Sequence, residues 1–356
     1  MAIGVTIVIC TYNGARLLPD TLAHIAQQQV RLYIPWEVIV VDNASTDNTS
    51  EVARTVWAES QATAPFTLLH QPKPGLTYAR ELALESARYE YIIFCDDDNW
   101  LAPDYVNAAY ELMEEHPSIG ALGGHGELVY ETPPPAWAAA MPIFANGRQA
   151  SKPGKVYRNA VYGAGCVIRK SAYMAVATAG FEPMLTDRVG ANLSSGGDYE
   201  FCYALALIGY DIWYDPSLRF RHFMPRERME WGYYERFFVE RAKCFEVLVP
   251  YQLVINAGAR TASSFYRKLL RLFLSASKQL YLLLLHRFKL PAGSDAAKTN
   301  TLKLMSVKAR LWSFSRHRIM RENFIKILQF KREKLVTFTK NKPEPSPGEE
   351  LEMRML

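Results

Sequence analysis

Short apolar runs at regular intervals limit what this chain can fold into more than any other feature. Residues 5–10 (VTIVIC), 37–41 (EVIVV) and 91–95 (YIIFC) are apolar almost throughout, and 66–69 (FTLL) is a weaker fourth. Helix-compatible stretches at 16–29, 48–60 and 76–88 separate them. A strand with apolar side chains at successive positions buries both faces. Alternation with helices then gives a parallel sheet covered on both sides. In such sheets ligands sit beyond the carboxyl ends of the strands. The three strongest runs end in polar turns: Thr11-Tyr12-Asn13-Gly14, Asp42-Asn43-Ala44-Ser45-Thr46-Asp47 and Asp96-Asp97-Asp98-Asn99. All three turns are expected along one edge of the sheet.

Beyond residue 119 the texture changes. Residues 119–130 (IGALGGHGELVY) read as a strand with glycine irregularities, Pro133-Pro134-Pro135 as a rigid turn, 161–168 as a strand and 171–179 as a helix. A polar Gly/Ser-rich loop at 185–197 precedes a helix at 198–209, strands near 211–215 and 218–223, and a helix at 230–248. The 356 residues are 49% apolar and 22% charged, an ordinary globular balance that argues against a disordered or fibrous chain. Five cysteines with no CxxC pair argue against a disulfide framework or a thiolate zinc site and for a reducing compartment. The opening MAIGVTIVIC lacks a basic region before its apolar run and reads as a strand rather than a secretion signal.

Three groups of residues can carry chemistry. Asp96, Asp97 and Asp98 repel one another at the end of a buried strand, which is costly unless a cation neutralises them. Oxygen ligands of this kind suit Mg²⁺ or Mn²⁺ shared with substrate phosphates; the alternative is a solvated acidic turn. Asp198, after Ser194-Ser195-Gly196-Gly197, is either a general base presented by small residues or an ordinary helix N-cap. His222 shares a strand face with Phe220 and can complete an oxygen-rich metal site or be purely structural. Arg226, Arg228 and Arg80 are candidate phosphate contacts, with surface ion pairs as the alternative. The chain has no GxxxxGK[ST], no GxGxxG after the first strand and no GxSxG, which argues against a P-loop hydrolase, a dinucleotide oxidoreductase and an α/β-hydrolase.

In this order and spacing, Thr11-Tyr12-Asn13, Asp42, Asp96–Asp98, Gly196-Gly197-Asp198-Tyr199-Glu200 and His222 resemble glycosyltransferase family 2 over roughly residues 3–250. The resemblance implies an α/β chain of GT-A fold, with a Rossmann-like, mostly parallel central sheet and helices on both faces. It implies inverting transfer of a sugar from a nucleotide-diphosphate donor, a UDP-sugar first, to a hydroxyl of a glycan or lipid-linked acceptor. Thr11, Tyr12 and Asn13 would pack on the donor base, Asp42 would hydrogen-bond it, and Arg80, Asp96 and Asp97 would complete the donor site. Asp98 would ligate Mn²⁺ or Mg²⁺ with His222, Asp198 would be the base, and Arg226, Arg228 and Glu200 would contact phosphate or acceptor. Gly197 stands where the family commonly has a glutamate, so an acceptor contact made by that side chain is missing here. A sugar nucleotidyltransferase or a non-catalytic donor-binding protein is the alternative. The former would want a glycine-rich basic loop after the first strand, and Thr11-Tyr12-Asn13-Gly14-Ala15-Arg16 is not one.

Charge divides the chain. Residues 1–259 hold 20 Lys+Arg and 29 Asp+Glu, and residues 260–356 hold 21 and 7. The expected organisation is a catalytic domain at 1–250, with a nucleotide-sugar and metal half at 1–118 and an acceptor half at 119–250. A basic helical extension follows at 251–340 and a disordered tail at 341–356. Residues 264–290 are apolar but punctuated by Lys and Arg, too short in any uncharged stretch for the roughly 20 residues of a spanning helix. They read as an amphipathic helix on an anionic membrane surface, or as a packed subdomain or oligomer contact. No nucleic-acid module motif is present. The expected setting is cytoplasmic, peripheral on the inner face of the membrane.

Overall fold

The computed structural model describes residues 2–141, 143–185, 187, 193 and 195–340. In chain order the elements are β1 (Ala2–Thr11), α1 (Leu18–Ala26), β2 (Trp36–Asp42), α2 (Thr49–Glu59), β3 (Phe66–His70), α3 (Leu76–Ser86), β4 (Tyr89–Phe94), β5 (Asn99–Leu101), α4 (Tyr105–Glu115) and β6 (Ile119–Tyr130). There follow α5 (Ala136–Ala139), β7 (Gly154–Lys155), β8 (Cys166–Arg169), α6 (Lys170–Thr178), α7 (Gly197–Leu207), β9 (Asp211–Met224), α8 (Trp231–Glu240), α9 (Phe245–Ile255), α10 (Ala262–Arg287), α11 (Asp295–Ser315) and α12 (His317–Lys340).

Among the described residues the strands form one sheet in the order β3-β2-β1-β4-β8-β6-β9-β5, with β7 paired onto β9. The apolar runs explain its first half. Val8 of β1 packs into one buried layer with Ile39, Val41, Ile92 and Phe94. Its neighbours Ile7 and Ile9 pack into the opposite layer with Val38, Val40 and Ile93. Alternate side chains thus enter two cores, which is why the runs are continuous rather than alternating. β1, β2, β3 and β4 pair in parallel. The second half is mixed: β8 runs antiparallel to β4 and β6, β5 and β7 run antiparallel to β9, and β6 pairs in parallel with β9.

Several elements differ from expectation for local reasons. The two strands expected near 211–215 and 218–223 are one strand, β9. Its register against β6 jumps between Gly123, paired with Tyr214, and His125, paired with Arg219, so Pro216 falls in a bulge that needs no N–H donor. The strand expected at 161–168 begins only at Cys166. Upstream, the Tyr162 N–H goes to Gln149 Oε1 (2.8 Å) and the Gly163 N–H to Asp198 Oδ2 (2.8 Å) rather than to a neighbouring strand. The helix expected at 230–248 is α8 and α9 separated by a 3₁₀ turn at Arg241–Cys244. The stretch 298–334 divides at Arg316 into α11 and α12, where the Ser313 and Ser315 hydroxyls bond back to the carbonyls of Arg310 and Trp312. Most of the 185–197 loop and all of 341–356 lie outside the described residues.

The C-terminal helices share the core of the sheet. Phe265 and Leu269 of α10, Phe314 of α11 and Phe324 of α12 are buried in the same layer as Val8 and Phe94. No helix among the described residues is long and apolar enough to cross a membrane.

Candidate active site

A cleft of about 460 Å³ opens at the carboxyl ends of β1 and β4. The turn after β1 supplies Thr11, Tyr12 and Asn13 to its wall. Asn13 holds a left-handed backbone (φ 53°) and is pinned to the turn after β2: its N–H donates to Ser45 Oγ (2.9 Å) and its Oδ1 accepts from Thr46 N (2.8 Å). Tyr12 is left 43% exposed at the rim. The Thr11 hydroxyl donates to Asp97 Oδ2 (2.5 Å), which ties the end of β1 to the acidic turn. Burial, and then repulsion from Asp98, push the Asp97 carboxyl up to about 7 against that hydrogen bond.

Asp98 is buried and meets His222 of β9 and Arg228 of the 3₁₀ turn that follows it. Arg228 Nη2 lies 2.7 Å from its Oδ2, and His222 Nε2 lies 3.4 Å from its Oδ1. Asn99 Nδ2 also donates to that Oδ1 (2.8 Å). His222 Nδ1 lies 3.2 Å from the carbonyl of Ala145, a contact that requires the proton on Nδ1. The Nε2 lone pair then accepts from Arg228 Nη1, 3.4 Å away, beside the Asp98 carboxylate that the same guanidinium holds. An imidazole nitrogen and a carboxylate oxygen converging in this way fit Mn²⁺ or Mg²⁺ that draws its other ligands from phosphate oxygens. No group of three or more His, Cys, Asp or Glu side chains able to hold a metal occurs among the described residues, so such a cation would depend on ligand oxygens.

Asp198, in the first turn of α7, lines the same cleft. Its Oδ2 accepts the Gly163 N–H and its Oδ1 accepts the Tyr199 N–H, both at 2.8 Å. Burial, helped by nearby Asp187 and opposed by Arg80, pushes its carboxyl up to about 6. Gly163 makes the contact feasible, because a Cβ there would stand 3.2 Å from Asp198 Cβ and 3.3 Å from Arg80 Nη2. Arg80 reaches the cleft from α3 and pairs with Asp187 Oδ2 at 3.3 Å. Cys10 also lines the cleft, but burial pushes its thiol up to about 12, so it offers no thiolate nucleophile.

Asp187 is a residue the sequence did not single out. It comes from the loop before α7, with φ 51°, and its Oδ1 accepts the Gly197 N–H at 2.7 Å. A Cβ at position 197 would collide with its carboxylate. The space left by the glycine is therefore filled by an acid from elsewhere in the chain, and a carboxylate is present beside Asp198 after all. Gly197→Ala is expected to preserve α7 but to displace Asp187 from Arg80. Loss of hydrogen bonds to a charged group is worth about 1.5–3 kcal/mol, so transfer should fall roughly tenfold or more. Steady-state kinetics beside a far-ultraviolet spectrum would check both parts. Arg241, Asn43 and Tyr162 also line the cleft and had no sequence signal beyond their residue types.

Three expected residues lie elsewhere. Asp42 is buried with its oxygens on Ser45 N (3.0 Å) and Ser50 Oγ, while its neighbour Asn43 lines the cleft. Glu200 accepts from the backbone N–H groups of Met184 (3.0 Å) and Leu185 (2.9 Å), bracing the loop rather than facing the cleft. Arg226 is exposed and its N–H donates to Glu131 Oε2 (2.8 Å). Thr11, Tyr12, Asn13, Arg80, Asp96, Asp97, Asp98, Asp198, His222 and Arg228 do converge on the one cleft.

On this sheet, a half-buried carboxylate in the same cleft as an acidic strand edge is the arrangement of a glycosyltransferase of the GT-A type. A mannosyltransferase from Pyrobaculum calidifontis, solved in complex with GDP-Man and Mn²⁺, shares the fold with a TM-score of 0.52 at 18% identity, over 86% of this chain and 87% of that one. Residues 6–174, a little under half of the chain, match glycosyl transferase family 2. Among curated relatives, the chondroitin synthase of Escherichia coli is 33% identical over 122 residues, 34% of this chain and 17% of its own length. Glycosyltransferase GlyA of Streptococcus pneumoniae is 28% identical over 121 residues, 34% of this chain and 16% of its own length. The matched segment is thus a small part of either relative.

Proposed function

We propose that the cleft binds a nucleotide-diphosphate sugar, a UDP-sugar first, and transfers the sugar with inversion to a hydroxyl of a glycan or lipid-linked acceptor. The observation that carries this reading is a carboxylate, Asp198, held by two backbone N–H groups in the same cleft as Asp96–Asp98. Thr11, Tyr12 and Asn13 offer a platform for the donor base, and Asp96 and Asp97 a polar wall for its ribose and diphosphate. Arg80 supplies positive charge between the two carboxylate groups.

Asp198 accepts the acceptor hydroxyl's proton as that oxygen bonds to the anomeric carbon, and the bond from that carbon to the diphosphate breaks. Asp98 and His222 would hold Mn²⁺ or Mg²⁺, which when bound offsets charge on the departing diphosphate. Asp187, filling the place of a side chain at 197, is positioned to orient the acceptor and to hold Arg80. Guanidinium groups from Arg228 and Arg241 suit phosphate oxygens.

Calorimetric titration of UDP-, GDP- and dTDP-sugars with and without Mn²⁺ tests the reading. One donor is expected to bind, with EDTA weakening binding and abolishing transfer and added Mn²⁺ or Mg²⁺ restoring both. Undiminished binding and transfer throughout EDTA treatment would remove the cation from the reading. Failure of every donor to bind would remove the reading itself.

A further inference from the structure

Helix α10 carries apolar side chains on two faces, one buried in the core and the other largely exposed, with Tyr266 alone of the stripe in ring contact with His317. Phe265, Leu269 and Ala276 are buried in the core shared with the sheet. On another face Tyr266, Leu270, Leu274, Tyr281, Leu285 and Phe288 are 40%, 56%, 57%, 61%, 45% and 88% exposed. Their spacing of three, four or seven residues makes one stripe along the 26-residue helix and its first following residue. At 100° per residue, Arg267, Lys278, Arg271 and Lys289 project along one border of that stripe. Half of the exposed large apolar side chains among the described residues lie between 266 and 288, which separates this patch from scattered surface hydrophobics.

The charge pattern selects the occupant. Helix α10 contains no Asp or Glu. A second copy packed stripe to stripe would set Lys and Arg beside Lys and Arg without compensation, which disfavours pairing. A surface of anionic lipid satisfies both features: acyl chains take the apolar stripe and headgroup phosphates take the basic border. No described helix can span a bilayer, so the contact would be with the surface.

We propose that α10 docks the protein on an anionic lipid surface, with the Tyr266–Phe288 stripe in the boundary between headgroups and acyl chains. The assignment goes beyond the reaction assigned to the cleft and does not depend on it. Flotation of the full chain, in which no transfer step is read, tests it separately. Vesicles of phosphatidylcholine mixed with phosphatidylglycerol should carry the protein, and vesicles of phosphatidylcholine alone should not. Raising the salt should release it.

Two variant pairs at exposed positions separate the contributions. Leu270→Asp with Leu274→Asp, and Arg267→Glu with Arg271→Glu, should each reduce flotation to background while the far-ultraviolet spectrum and donor binding stay unchanged. The proposal is overturned by no flotation of the natural sequence, by equal flotation on both vesicle types, or by variants that float as well as the parent. A dimer in sedimentation that Leu274→Asp dissociates, with no flotation, would assign the stripe to a second copy instead.

Discussion

Replacing Asp198 by Asn is expected to lower turnover by about 10²–10⁴-fold, the usual contribution of a positioned general base. Donor affinity should stay close to that of the parent, because the donor wall is assigned to other lining residues, Thr11, Tyr12, Asn13, Asp96 and Asp97. Thermal stability should also change little, for a specific reason. Burial pushes the carboxyl up to about 6, so an ionised Asp198 costs the fold on the order of 3 kcal/mol at neutral pH. Asn removes that cost. However, both oxygens of Asp198 accept backbone N–H groups, and an amide can accept only one of them. An N–H left without its partner costs about 1–3 kcal/mol, so the two effects nearly cancel. An inactive variant that melts with the parent would therefore report chemistry rather than misfolding.

The pH profile follows from the same carboxyl. The base works ionised, so kcat/KM of the parent should fall as the pH drops through about 6. Stability runs the other way. The folded chain holds this proton more tightly than the unfolded chain does, so the contribution is favourable below the ordinary aspartate range and is lost as the pH rises through about 6. Asp198→Asn should lack the acidic limb in its residual activity. A rate profile for that variant that keeps the limb would assign it to another group.

The second large effect is expected from Asp98→Ala. Asp98 and Arg228 are both largely buried and 2.7 Å apart. Removing one partner of a buried ion pair leaves the other charge uncompensated and costs about 3–5 kcal/mol. In a chain of this size that corresponds to a melting temperature lower by roughly 4–7 °C. Cation-dependent donor binding should disappear as well. The double variant Asp98→Ala with Arg228→Met separates the two consequences. It should recover much of the melting temperature, since no charge is stranded, and none of the donor binding. Recovery of both would mean that Asp98 serves the fold alone.

Much of this site was legible in the sequence because it sits where short-range patterns end. Continuous apolar runs mark β1, β2 and β4, and the polar turns after them hold the donor-side residues of the cleft. Asp198 and His222 were found from local context, a glycine-rich approach to a helix and an alternating strand. The rest depends on contacts that no window along the chain contains. Asp187 meets Arg80 across 107 positions, and nothing about an aspartate in a polar loop announces that partner. Arg226 and Arg228 are equivalent as sequence, yet a 3₁₀ turn at Arg226–Met229 leaves one exposed and brings the other onto Asp98. Asp42 and Asn43 are adjacent in the same way, and the end of β2 turns only Asn43 to the cleft. Glu200 stands in the same motif as Asp198, but α7 is helical there and directs it to the backbone of the preceding loop.

The shared core behind the sheet has a mechanical meaning. Arg241, Cys244 and Leu248, which line the cleft, belong to the 3₁₀ turn and α9, and α9 is packed against α12 through the layer that also buries Phe265 of α10. There is no slack tether between the docking helix and the reaction chamber. Laying α10 on a surface would therefore fix the direction in which the chamber opens. The distance from that surface at which a hydroxyl can be glycosylated would be set by the shape of a rigid body.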